Sequence, residues 1–153
     1  MSPDEQPVSS PSLFFEVYAL GQAVRRLLTT AMASSPLTPE EYAIYSAVFE
    51  DESLTPTRMA RRLGMPLTTA MDHIARLEAR GHARRTVSAS DRRATLVSLT
   101  AGGLAAHRAA NYSFERAYED FLAELRLNEM DATKTLVNLR EAVEEALARA
   151  TPR

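Results

Sequence analysis

The chain has 153 residues, enough for one domain with a buried core, and carries a formal net charge of −2. It contains no cysteine, which excludes disulfides, thiolate metal sites and thiol-based redox sensing. Apolar runs stay well short of the roughly eighteen residues of a membrane span, and no basic-then-apolar leader opens the sequence, so a cytoplasmic protein with no membrane association is expected.

Residues 1–11, rich in Ser, Pro and acids, read as a disordered tail, and residues 12–148 as a single domain. The first helix is expected over about Ser12–Ala33. Leu13, Val17, Leu20, Val24, Leu27 and Ala31 recur at spacings of four and three and share one face. Thr38-Pro39-Glu40-Glu41 carries a capping threonine, a proline suited to the first turn and a glutamate that closes a capping box. Tyr42, Tyr45, Val48 and Phe49 are the expected buried side of that second helix. Thr55-Pro56 repeats the start for a third, short helix with Met59, Ala60 and Leu63 inward, and Gly64 breaks it.

A fourth helix follows over Leu67–Arg80, with Ala70, Ile74 and Leu77 inward and Thr68, Thr69, Asp72, His73 and Arg76 on the other side. His73 has two readings, a base contact or a filler behind the helix. Gly81 ends the helix. Two strand-like runs then flank Ser88-Ala89-Ser90-Asp91-Arg92-Arg93, with Val87, Thr95, Val97 and Leu99 as inward positions. Thr100 caps a fifth helix to about Leu125, and Asn128 a sixth with Leu136, Leu139, Val143, Ala146 and Leu147 as its stripe.

The fold class is therefore mostly α, an α+β winged helix-turn-helix over residues 38–99 with long helices at 12–37 and 100–148. Such a unit places its second helix in the major groove of a duplex and its hairpin on the neighbouring backbone or minor groove. The charge distribution agrees. Residues 1–57 hold two arginines against eight acids, residues 58–93 nine arginines against three, and residues 94–153 seven basic groups against nine acidic. A basic middle between acidic flanks offers one face to a polyanion.

Leu77-Glu78-Ala79-Arg80-Gly81-His82-Ala83-Arg84-Arg85 and Asp91-Arg92-Arg93-Ala94-Thr95-Leu96-Val97-Ser98-Leu99-Thr100 resemble the recognition-helix exit and the wing of MarR-type transcriptional regulators. The resemblance covers about residues 12–148. It implies a homodimer built from both chain ends that binds a pseudo-palindromic operator in double-stranded DNA, as a repressor responsive to a small aromatic or anionic effector. Candidate DNA contacts are Thr68, Thr69, Asp72, His73, Arg76, Arg84, Asp91, Arg92 and Arg93. Asp91 would hold the hairpin shape while Arg92 or Arg93 reaches the backbone. Asp72 departs from the basic or neutral residue that many relatives carry. Candidate effector contacts are Tyr18, Arg25, Tyr42, Tyr45 and Asn111, although the tyrosines equally fit a core with satisfied hydroxyls.

His73, His82 and His107 have no ligand-like spacing, the five glycines form no phosphate loop, and no nucleophile–base set stands out. Neither an enzyme nor a cofactor is expected. The rival function is a winged helix used as a protein-interaction module.

Overall fold

A computed structural model describes residues 12–89 and 93–150. Its elements are α1 (Leu13–Ala31), α2 (Pro39–Glu50), α3 (Pro56–Leu63), α4 (Leu67–Ala79), β1 (Ala83–Val87), β2 (Thr95–Leu99), α5 (Ala101–Glu124) and α6 (Glu129–Ala150). The expected tail at 1–11, and Asp91 and Arg92 of the hairpin, lie outside the described residues. The chain forms two compact units that divide between Arg116 and Ala117.

In the first unit the starts of α2 and α3 are set locally. Thr38 Oγ1 accepts from Glu41 N–H at 3.2 Å, and the Glu41 carboxylate accepts from Thr38 N–H at 3.0 Å. Thr55 Oγ1 accepts from Arg58 N–H at 3.2 Å. Gly64 closes α3 at φ 63°, a left-handed backbone costly for any residue with a Cβ, and so permits the tight turn into α4. The hairpin pairs antiparallel from Ala83↔Leu99 to Val87↔Thr95. Leu54 adds a short third rung opposite Val97, with backbone bonds of 3.1 and 2.9 Å.

The core gathers Ile44, Tyr45, Val48, Leu54, Met59, Ile74 and Val97, all essentially without solvent exposure. It also takes in Ala110, with Leu104, Ala106 and Phe114 packed against it. The expected lobe boundary at residue 99 is therefore too early, because the first half of α5 completes the core of the winged helix. Two further expectations change. Val87 is 67% exposed rather than inward, lying at the loop end of the hairpin opposite Thr95. Phe49 is 47% exposed, since it sits at the end of α2 and stacks on His107 from outside, while Ile44 and Ala47 take the buried positions.

The junction between hairpin and α5 is tight. Thr100 Oγ1 donates to Gly81 O at 2.6 Å and accepts from Gly103 N–H at 3.2 Å. A Cβ at Gly103 would overlap the His82 carbonyl oxygen, so the helix can approach that turn only with glycine there.

In the second unit Asn128 Oδ1 accepts from Met130 and Asp131 N–H at 2.9 and 3.3 Å and so caps α6. Tyr118 donates to Glu129 and stacks on Phe121. No residue of α6 is buried.

Candidate nucleic-acid interface

The fourth helix presents two opposite sides. Ala70, His73, Ile74 and Leu77 are buried. Thr68, Asp72, Ala75, Arg76 and Ala79 are exposed, and Thr69 is half-buried. The candidate contacts Thr68, Asp72 and Arg76 thus stand on the open side, with Arg76 Nε donating to Asp72 O at 3.4 Å. His73 does not join them. It is 6% exposed, with Nε2 3.5 Å from the Glu40 carboxylate on α2. Its place in the contact set is withdrawn, because helical spacing puts it beside Ala70 and Ile74 on the buried side.

Behind α4 a set of polar contacts ties it to α2. Arg80 pairs with Glu41 at 2.7 Å, and the Tyr45 hydroxyl and His82 Nδ1 share a 2.8 Å hydrogen bond. Partial burial pushes the Glu41 carboxyl up, but the Thr38 N–H and the Arg80 guanidinium together outweigh it and hold it below the ordinary carboxylate range. Burial pushes the Tyr45 phenol up, so it remains a neutral hydroxyl at physiological pH.

The basic residues divide by role. Arg58 and Arg62 bind Asp51 at 3.1 Å each, and Arg62 also binds Glu50, so both brace α3 on the end of α2. Arg84 Nε donates to Ser98 Oγ across the hairpin at 3.3 Å, and Arg85 pairs with Glu78 of α4 at 3.0 Å. Arg85 and Arg93 then border an open groove of about 430 Å³ with Thr55, Pro56, Thr57, Leu67, Met71, Ala94 and Thr95. This groove runs between the start of α3, Leu67 and Met71 of α4, and the middle and loop end of the hairpin. Leu67 and Met71 are not among the positions that the sequence marks as contacts. Their signal was a pair four residues apart, off the stripe formed by Ala70, Ile74 and Leu77.

The candidate effector residues are not all brought together. Tyr42 donates to Asn111 Oδ1 at 2.6 Å, and its ring stacks on His107 and meets Phe114 at a tilt. Tyr45 has no solvent exposure and its hydroxyl is spent on His82, so it is a core residue rather than a ligand contact. Tyr18 and Arg25 are exposed on α1. His107, which spacing alone had left without a role, is 5% exposed between the rings of Tyr42 and Phe49, with Nε2 and Ser46 Oγ 3.0 Å apart. Among the described residues no cluster of His, Asp or Glu could hold a metal, and no helix is long and apolar enough to cross a membrane.

Residues 35–94, which hold α2 to the start of the hairpin's return, match the model of the MarR family. The HTH-type transcriptional regulator TtmR of Methylorubrum extorquens is 33% identical over 100 residues, 65% of this chain and 51% of the relative. The chain thus matches about half the length of that curated relative. Among solved structures, the PcaV transcriptional regulator of Streptomyces coelicolor, in complex with its natural ligand, is 26% identical. It aligns over 96% of this chain and 99% of its own with a TM-score of 0.68. The transcriptional repressor CouR, bound to a 23-mer DNA duplex, has the same fold at 24% identity, over 94% and 99%, with a TM-score of 0.70.

Proposed function

We propose that the chain, whose residues 35–94 match the MarR family model, is a transcriptional regulator of that family that binds double-stranded DNA as a homodimer, acting as a repressor on a pseudo-palindromic operator. The observation that carries this is the continuous surface of α4, the groove and the hairpin. Thr68, Asp72 and Arg76 are exposed on α4, and Leu67 and Met71 of the same helix share the groove with Arg85 and Arg93, a layout that suits a helix entering a major groove while a wing meets the backbone. Asp72 repels phosphate but accepts from cytosine N4, so its place is at a base edge.

The homodimer is supported by α1 and α6, neither of which has a buried residue. Leu13, Phe14, Phe15, Val17, Leu20 and Leu136 are each more than 40% exposed, more apolar surface than a stable single chain leaves in water. Regulation by a small aromatic or anionic effector is the finer part of the proposal. Its supports are the linked Tyr42–Asn111 pair, the exposed Tyr18 and Arg25 of α1, and the natural ligand held by the PcaV regulator.

Selection from a random duplex library, followed by titration of affinity against salt, tests the function. A repeated half-site and a steep loss of affinity with salt are expected for operator binding. Enrichment of no sequence, with tight binding to an acidic protein instead, would favour the interaction-module reading. Titrating the bound complex with benzoates tests the effector. Release that is blunted in Asn111→Ala is expected, and benzoates that leave the complex intact would remove ligand response from the proposal.

A further inference from the structure

We infer that Leu67 and Met71 read the 5-methyl group of a thymine in each operator half-site. The inference deepens the duplex-binding proposal and rests on it. Two large apolar side chains stand 47% and 36% exposed on α4, one turn apart, while the core of the helix is already supplied by Ala70, Ile74 and Leu77. Neither belongs to the core cluster of the lobe or to the partly buried residues packed against it. Instead they floor the groove of about 430 Å³ together with Pro56 and Ala94.

The rim of that groove is of opposite character. Arg85 and Arg93 flank it, and Thr55, Thr57 and Thr95 add hydroxyls. Arginines and hydroxyls are groups that hold phosphodiester oxygens, so the rim suits a nucleic-acid strand passing between α4 and the hairpin. The floor then requires an apolar group carried by the same strand. The major-groove edges of B-form DNA offer only one, the thymine 5-methyl, which lies on the outer edge of its base beside its own strand's phosphates. A strand whose phosphates meet Arg85 and Arg93 can therefore lay a thymine methyl over Leu67 and Met71. Arg85 is held in place for this by Glu78 at 3.0 Å.

Burying one methyl group is worth roughly a four-fold change in affinity. The test uses the half-site obtained from the random-duplex selection, with each thymine replaced in turn by deoxyuridine, which lacks only the methyl. For the wild type, one thymine position per half-site should lose about three- to five-fold in affinity, and the others little. In Leu67→Ala and Met71→Ala that penalty should shrink toward none. Met71→Leu, which keeps an apolar side chain in a helix, should retain it and guards against an alanine variant that fails to fold. Uracil tolerated at every position, or a penalty unchanged in both alanine variants, would overturn the inference while leaving duplex binding intact. Failure of selection to yield any half-site would instead bring down the duplex-binding proposal, and this inference with it.

Discussion

Arg93 borders the groove from the hairpin, and in the proposed duplex complex it would supply charge rather than base discrimination. Arg93→Ala should weaken binding to the operator and to random duplex alike, and flatten the salt slope by about one contact per subunit. Affinities measured over a salt series would show it; a loss confined to the operator would contradict it. His107 makes a different prediction. Burial pushes its imidazole down from the ordinary value, offset in part by the Glu50 carboxylate. The fold therefore favours the neutral ring. Its share of stability is intact above the ordinary imidazole range and is lost as pH falls below it. Urea midpoints of wild type and His107→Phe should diverge between about pH 8 and about pH 5, with the wild type losing more. Parallel curves would contradict the assignment. At this scale the sequence left His73 open between two roles, because its position lies at the margin of the helix's buried stripe. Packing against α2, where Glu40 thirty-three residues upstream approaches its Nε2 at 3.5 Å, puts it inside, and no local pattern announces such a neighbour.

Among elements, a polar tie joins α2 to the end of α4. Glu41 is shared: its carboxylate accepts from Thr38 N–H and also pairs with Arg80 at the end of α4. Thr38→Ala should cost about 1 kcal/mol in unfolding free energy by losing the cap. Glu41→Ala should cost more than that, since Arg80 also loses its partner, and a smaller loss in urea titrations would contradict the shared role. Because the Glu41 carboxyl is held low, the stability it adds is present above the ordinary carboxylate range and is lost on acidification through it. The caps at Thr38, Thr55 and Asn128 were legible in the sequence because a cap joins residues two or three apart. The Leu54–Val97 rung and the merging of α5 with the lobe were not. Each depends on residues more than forty positions apart meeting in space, and a lone Leu54 between polar neighbours carries no alternation to reveal a strand.

For the whole molecule, the apolar stripes on α1 and α6 were readable from spacing, but what covers them is not written in the spacing. Neither helix buries a residue within the described chain, and the proposed homodimer would cover each stripe with the second copy. A dimer that reads a pseudo-palindrome must set its two α4 helices about one helical turn apart, roughly 34–36 Å along the duplex. The most direct test is the affinity of the protein for a series of duplexes carrying two selected half-sites at increasing separation. Tightest binding, with two chains per duplex, is expected near 10–10.5 base pairs centre to centre or its multiples, with a loss on insertion of about five base pairs that returns on insertion of about ten. Affinity indifferent to the separation, or one chain saturating each duplex, would contradict the account.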